Sequence, residues 1–290
     1  MNVLITGKNS YIGNHIKAHL ENSGHRADIA DTFDNKWKET DFSIYDAIVH
    51  VAAIVHDNAK NASEELFEKV NTKLPIEIAE CAKENGVGQF VFLSTMGVYG
   101  QGKSLNYDKG IISSNSKLSP ISPYGKSKLD AEIKLNEMAD DNFKVAIVRP
   151  PNVYGHGCNG NYIRLFKKLS DILMICPDAY TNIRQSMIYI DNLSELVKLI
   201  IEENSTGVFL PQDNYAPNTV ELITIIRKLH GKKTIKSKFL GLALKLFKKV
   251  PIVTKIYGGV SYDMNVSDCF NSRYKIVPFE KGIELTYINK

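Results

Sequence analysis

Two side chains in the stretch Ser122-Pro123-Tyr124-Gly125-Lys126-Ser127-Lys128 have types and spacing suited to proton transfer. Tyr124 and Lys128 are four residues apart, which on a helix stacks them on one face. A free phenol, with a pKa near ~10, is a poor base at neutral pH. An ammonium beside it favours the phenolate and is expected to bring it toward a working range. Pro123 suits a first helical position, and the residues from Lys126 to Leu135 continue with strong helix formers. The chain holds a second tyrosine and lysine at this spacing, Tyr99 and Lys103, but Gly100 and Gly102 lie between them and predict a turn that splays them apart. A solvated helix face is the alternative use of the Tyr124 pair.

Such a pair needs a scaffold that brings a reactant to it. Val3-Leu4-Ile5 is an apolar run ending at Thr6-Gly7, followed by Lys8-Asn9-Ser10-Tyr11-Ile12-Gly13 and a helical pattern through Ile16, Ala18 and Leu20. Strand, glycine turn and helix start in succession form the context of a dinucleotide-binding turn. Gly7 allows the tight turn, Gly13 lets helix and strand approach, and the N–H groups of the helix start at Ser10, Tyr11 and Ile12 suit a pyrophosphate. Ser10 stands where a glycine allows the closest approach, although serine is small and can donate a hydrogen bond. Arg26 to Ala30 reads as a second strand, and Asp31 follows 18 residues after Gly13, the spacing expected of a ribose-binding carboxylate. A carboxylate there repels a 2′-phosphate, which predicts NAD over NADP; a strand-end aspartate making a turn is the plainer reading.

Fifteen residues separate Asp31 from the third apolar run, Ala47-Ile48-Val49-His50-Val51, too few for a helix and a strand. An abbreviated connection holding Trp37 is expected, with Asp41 near the adenine or on a surface loop. Val51-Ala52-Ala53 ends on small residues beside which a flat cofactor can lie. Glu64 to Asn85 carries a long helical pattern interrupted at Pro75 and stopped by Gly86. Gln89-Phe90-Val91-Phe92-Leu93 reads as a buried parallel strand ending at Ser94-Thr95. The pattern predicts an α/β fold with a doubly wound parallel sheet, a Rossmann arrangement, in which Gly7, Asp31, Ala53 and Thr95 converge on the carboxyl edge. A Thr95 hydroxyl there can bind a carbinol or carbonyl oxygen while Tyr124 takes or returns its proton and Lys128 ties the phenolate to a cofactor ribose.

Across most of its length the chain resembles the extended short-chain dehydrogenase/reductases, particularly nucleotide-sugar enzymes of the UDP-galactose 4-epimerase type. Thr6-Gly7 with Tyr11-Ile12-Gly13 and Asp31 is similar to that family's NAD turn, Asn71 in Val70-Asn71-Thr72 to its mid-helix asparagine near the active site, and Leu93-Ser94-Thr95 to its catalytic strand end. Tyr124-Gly125-Lys126-Ser127-Lys128 matches its most specific motif. Arg149-Pro150-Pro151-Asn152-Val153-Tyr154-Gly155 resembles the segment that passes from the nicotinamide, at Pro151, to the nucleotide sugar, at Asn152. Arg184, opening Arg184-Gln185-Ser186-Met187-Ile188-Tyr189-Ile190-Asp191, resembles the arginine that grips the substrate diphosphate, a task its planar fork suits. The resemblance implies an enzyme with catalytic Thr95, Tyr124 and Lys128, and NAD contacts that extend from the turn and Asp31 to Asp41, Val51, Ala52, Ala53, Asn71, Ser94 and Pro151. It implies substrate contacts at Thr95, Asn152 and Arg184.

The 4,6-dehydratases of that family carry an Asp-Glu pair directly after the hydroxyl residue, where this chain has Met96-Gly97. Neither side chain can exchange a proton, so elimination of water has no acid. A C4 epimerase remains as the expectation, favoured by the NAD-type Asp31, with an NAD(P)H-dependent 4-ketoreductase of a nucleotide 4-keto-6-deoxysugar as the alternative; either suits polysaccharide biosynthesis. A nucleotide-sensing regulator on the same fold typically lacks the Tyr/Lys pair.

The 290 residues, 43% hydrophobic and 23% charged, are ordinary for a globular enzyme. A net charge of +4 is too small to argue for nucleic acid, and no uninterrupted apolar run is long enough for a transmembrane segment. The N-terminus reads as a strand rather than a signal peptide, so a cytoplasmic protein is expected. Cys81, Cys158, Cys176 and Cys269 show no paired spacing, nor do the seven histidines, and neither disulfide nor metal is expected. Residues 1–155, with 184–204 returning, are expected to form the dinucleotide-binding domain, and 156–183 with 205–290 a smaller substrate lobe; a homodimer is the candidate assembly. Helical patterns cover Thr219 to His230 and Lys238 to Lys249. From Gly231 to Lys255 there are eight lysines and no acid, interleaved with leucines. A lobe helix with a solvated lysine face is expected there, and a basic amphipathic surface for a membrane or an acidic partner is the alternative.

Overall fold

The computed structural model describes residues 1–32, 35–55, 63–158 and 160–287. At its centre is a parallel sheet of six strands: β1 (Asn2–Thr6), β2 (Arg26–Ala30), β3 (Ala47–His50), β4 (Gln89–Leu93), β6 (Lys144–Val148) and β10 (Gly207–Phe209), in the spatial order β2-β1-β3-β4-β6-β10. The strands read as unbroken apolar runs because helices cover both faces. Period two divides their side chains between those faces. Val3, Ile5, Val49 and Val91 pack against Ile16 and Leu20 of α1 (Tyr11–Asn22) and Leu193 and Leu196 of α6 (Ile190–Glu202). Leu4, Ile48, Phe90 and Phe92 pack against Ile78 of α3 (Leu74–Glu84) and Ala131 and Leu135 of α4 (Pro123–Met138).

The winding reverses between β1 and β3. From β1 the chain moves outward to β2, then crosses back to place β3 on the other side of β1, so the carboxyl ends of these neighbours flank a switch point where such folds bind ligands. The connection after Asp31 is abbreviated as expected: Trp37 is buried in a 3₁₀ turn (Lys36–Glu39), and a second one (Phe42–Ile44) leads into β3. The long helical pattern is one axis in three parts, α2 (Glu64–Phe67), a wide π turn (Glu68–Lys73) and α3. The irregularity thus precedes Pro75, and the wide turn lies where the missing proline N–H interrupts the helical bonding of the continuous axis.

The rest of the chain packs around a second core containing Tyr154, Phe166, Ile223, Ile226, Phe279 and Ile283. It is built from α5 (Asn161–Ile172), α7 (Thr219–Leu229), α8 (Lys238–Leu246), α9 (Pro251–Tyr257) and α10 (Phe279–Tyr287). Three short parallel pairs tie it together: β5 (Ile111–Ile112) with β12 (Ser261–Tyr262), β7 (Asn152–Tyr154) with β9 (Met187–Tyr189), and β8 (Ile175–Pro177) with β11 (Ile235–Ser237). Strand β10 comes from beyond residue 204 and closes the edge of the large sheet beside β6. Three residues are too few for a period-two signal, which hid this strand in the sequence. Among the described residues no helix is long and apolar enough to cross a membrane, and no group of three or more histidine, cysteine or acidic side chains could hold a metal ion.

Candidate active site

Helix α4 is delivered to the carboxyl edge by its own first turn. Ser122 caps it, accepting a hydrogen bond from the Gly125 N–H at 3.0 Å, and Pro123 takes the first helical position. Gly125 has a packing reason: a Cβ there would lie 2.8 Å from the carbonyl oxygen of Gly97, so only glycine lets α4 meet the 3₁₀ turn Met96–Tyr99 that follows β4. Thr95 caps that turn, accepting from the Gly97 N–H at 3.0 Å, and this fixes its hydroxyl beside Tyr124. The two hydroxyls expected from sequence are therefore brought together.

The electrostatics of the pair differ from the expectation. Burial pushes the Tyr124 phenol up to about 12, with the Thr95 hydroxyl as the opposing influence. Lys128 does not bring it down. Its side chain is 1% exposed, its Nζ donates to the Leu93 carbonyl oxygen at 2.8 Å, and the ammonium lies 4.3 Å from the centre of the Phe92 ring. Burial lowers the Lys128 pKa to about 7, against the pull of Glu132. A lysine that desolvated is only partly charged at neutral pH and cannot hold a phenolate by itself. Tyr124 is thus a neutral phenol in this state.

The next residue on the same face of α4 completes a network that sequence reasoning missed. Glu132 accepts from Arg149 through Nε at 3.0 Å and Nη2 at 2.5 Å, both residues being buried. Ser94 donates to the same carboxylate. Arg149 Nη1 donates to the Tyr99 hydroxyl at 2.9 Å, and the Tyr262 hydroxyl donates to the Arg149 carbonyl oxygen at 2.7 Å. Tyr99, the other tyrosine at catalytic spacing, is thus a structural partner of an arginine. The repeat Tyr124, Lys128, Glu132 at steps of four was the available signal. The Ser94 hydroxyl, expected to face the cofactor, is directed inward because a buried carboxylate needs every donor within reach.

Asn71, expected beside the cofactor, bonds within the protein. In the π turn, its Oδ1 accepts from the Ile54 N–H at 2.8 Å while Nδ2 donates to the Ile54 carbonyl oxygen at 3.0 Å and to the Ser127 hydroxyl at 3.2 Å. The neighbouring Thr72 hydroxyl donates to the Ser127 carbonyl oxygen at 2.8 Å. These bonds consume the amide and lock α4 to the segment after β3. His50 was also missed. Buried at the end of β3, it bonds Thr6 Oγ1 through Nδ1 at 2.7 Å, and its Nε2 has no partner among the described residues. Burial and the Lys128 charge hold its pKa well below the ordinary value, so a neutral imidazole lies beneath the lysine.

The dinucleotide turn fits an extended cofactor by two observations. Gly7 has φ +124°, and a Cβ there would stand 3.0 Å from the Ala52 nitrogen and from Val51 Cγ2, so the turn after β1 lies directly against the segment Val51-Ala52-Ala53. Ser10 caps α1, accepting from the Gly13 N–H at 3.1 Å, and the N–H groups of Tyr11 and Ile12 have no partner among the described residues, which leaves them for an anion. Ser10 Oγ accepts from its own helix, and its O–H is left as a donor. Asp31 stands at the end of β2, 3.3 Å from Lys8 Nζ. Asp41 caps the turn Phe42–Ile44 through Ser43, a local role.

Pro151 is buried and Asn152 half-buried at the start of β7. Arg184 lines a cavity of about 410 Å³ with Tyr107, Asn214, Tyr215, Ser261 and Met264. Its Nη1 is held by Glu221 at 2.7 Å and the Tyr215 hydroxyl at 2.9 Å, while Nε and Nη2 have no partner among the described residues. One edge of the fork thus remains for an anion.

Residues 3–208 match the NAD dependent epimerase/dehydratase family. A UDP-glucose 4-epimerase of Vibrio cholerae is 29% identical over 230 residues, 75% of this chain and 68% of that protein. The N-acetyl-alpha-D-glucosaminyl-diphospho-ditrans,octacis-undecaprenol 4-epimerase of Escherichia coli O157:H7 is 28% identical over 210 residues, 71% of this chain and 61% of that protein. In fold, the chain is similar to the UDP-glucuronic acid 4-epimerase of Bacillus cereus solved with NAD, with a TM-score of 0.73 and 21% identity over 99% of this chain and 96% of that one.

Proposed function

We propose that this chain, which belongs to the NAD dependent epimerase/dehydratase family, interconverts the C4 epimers of a nucleotide-activated sugar, a UDP-sugar first among them. The observation that carries the reading is the meeting of the Thr95 and Tyr124 hydroxyls above a buried Lys128, with Met96 and Gly97 where a dehydratase needs acids. The Vibrio cholerae relative, named for UDP-glucose, supports the nucleotide. In this reading residues 1–155 with 184–204 bind the cofactor, their sheet being completed by β10 from beyond residue 204, and 156–183 with the remainder of 205–290 form the substrate lobe, Asn152 and Arg184 reaching the sugar nucleotide from the cofactor side.

NAD, when bound, supplies a hydride acceptor and donor for the sugar carbon. The first turn of α1 holds its pyrophosphate through the Tyr11 and Ile12 N–H groups, and Asp31 its ribose. Thr95 Oγ1 orients the C4 oxygen of the sugar. Tyr124 Oη exchanges the proton of that oxygen, Asn152 lies along the sugar, and Arg184 grips the diphosphate with its free edge. The grip has to last through the cycle, because an epimerase must present both faces of a keto sugar without losing it.

The protonated state of Tyr124 favours a second reading, a 4-ketoreductase, in which the phenol gives its proton to a keto oxygen. Purified protein incubated with UDP- and dTDP-sugars separates the two. Epimer formation without added reduced cofactor is expected. No product from any non-keto sugar nucleotide, with stoichiometric NADH or NADPH oxidation on a 4-keto-6-deoxy sugar nucleotide, would overturn the epimerase reading.

A further inference from the structure

Helix α8 has two apolar stripes and only one of them is used. Inward, Gly241 packs so closely that a Cβ would stand 2.2 Å from the Asp178 carbonyl oxygen, and Leu244 joins the second core. Outward, Phe239, Leu242 and Leu246, spaced three and four apart, are 79%, 67% and 81% exposed. Phe247 and Ile252 extend this apolar surface to the start of α9. A helix that merely covers a lobe puts its lysines on the outer stripe; here large apolar groups occupy it, and side chains that protrude together mark a contact surface.

Charge identifies what fits. The segment from Gly231 to Lys255 has eight lysines and no acidic residue. Lys238, Lys245, Lys248 and Lys249 are exposed beside the apolar stripe and form no ion pair with any described residue. Protruding apolar side chains rimmed by unpaired cations suit the headgroup layer of an anionic bilayer, which takes the apolar groups between its lipids and the lysines among its phosphates. We propose that the outer face of α8 and its turn into α9 docks this protein on an anionic membrane surface, lying in its plane.

The proposed docking face lies near the cavity side of the molecule. Lys236 of β11, next to α8, lines a cavity of about 570 Å³ that shares Asn214 and Tyr215 with the Arg184 cavity. The proposal stands independently of which sugar reaction the site performs, since binding is read without substrate.

The full chain is sedimented with vesicles of equimolar phosphatidylglycerol and phosphatidylcholine, with phosphatidylcholine vesicles, and without vesicles. At low salt about tenfold more protein is expected to pellet with the anionic vesicles than in either other arm, and high salt should release it. The triple variant Phe239→Ser/Leu242→Ser/Leu246→Ser and the triple variant Lys245→Glu/Lys248→Glu/Lys249→Glu should each lose that binding with far-ultraviolet circular dichroism unchanged. In a separate Phe239→Trp variant the new indole should shift to the blue on adding anionic vesicles, a change that the buried Trp37 cannot mimic. Equal binding to neutral vesicles, or binding retained by both triple variants, would overturn the proposal. A wild-type dimer that the apolar variant converts to monomer, with no vesicle binding, would assign the face to a second copy and overturn it as well.

Discussion

The Nζ of Lys128 donates to the carbonyl oxygen of Leu93 at 2.8 Å, which joins α4 to the last residue of β4. The bond fixes the distance between the Tyr124 face of α4 and Thr95, two residues beyond Leu93. It also confines a cation where water cannot reach it, and this has consequences for stability as well as chemistry.

The folded Lys128 titrates near 7 and the unfolded one near 10.5. Between those values the unfolded chain binds more protons, so the protein gains stability as pH rises from about 7 to about 10.5 and is insensitive to this group below that window. Lys128→Met should flatten this rise. Urea titrations of both proteins across the window check it, and parallel slopes would refute the buried-cation account.

Tyr124→Phe should cut turnover by ~10²–10⁴ while leaving cofactor affinity nearly unchanged, the pattern of a positioned proton-transfer group. Tyr99→Phe should do the reverse. It removes the acceptor of the Arg149 Nη1 bond, lowering stability by about 1–3 kcal/mol with turnover largely kept. Steady-state kinetics and urea denaturation on both variants separate the two roles.

Glu132→Gln should destabilise the fold by ~3–5 kcal/mol, because Arg149 would keep a buried charge without its counter-ion. The double variant Glu132→Gln/Arg149→Met should lose less than the sum of the single changes. Additive losses would mean that the two side chains do not act as a pair.

Arg184→Ala should raise KM for a sugar nucleotide and release keto sugar and reduced cofactor during turnover. Glu221→Gln removes the negative charge beside Nη1, which keeps its bonds to the Tyr215 hydroxyl and the Ala216 carbonyl oxygen, and is expected to leave the diphosphate grip intact. Product analysis by chromatography distinguishes leakage from simple loss of rate, and an unchanged KM would remove Arg184 from the site.

Asp31→Gly should relax the preference for NAD over NADP, since the carboxylate supplies both ribose acceptors and the repulsion of a 2′-phosphate. Its contact with Lys8 is partly exposed and contributes at most ~1 kcal/mol. Cofactor titrations followed by fluorescence report the ratio. A preference for NADP in the parent protein would show that Asp31 is misplaced.

Local order in the chain was enough to read the strand, turn and helix from Val3 to Leu20, the short connection around Trp37 and the cap and first turn of α4, because periodicity and turn chemistry act over a few residues. For the same reason the Tyr124 and Lys128 pair could be placed on a helix, and Tyr99 and Lys103 on a turn, before any contact was known. What lay outside that range was every property set by burial and by partners far along the chain. Glu132 meets Arg149 across 17 positions, Asn71 reaches Ser127 across 56, and Gln89 reaches Ser205 across 116. The Tyr124 phenol goes up where spacing alone predicted it down, because desolvation depends on the number of atoms packed around a group and not on its neighbours in sequence. The outer stripe of α8 follows the same logic: the lysines and leucines were legible as a pattern, and only the packing of Gly241 against Asp178 decided which apolar face is left to water.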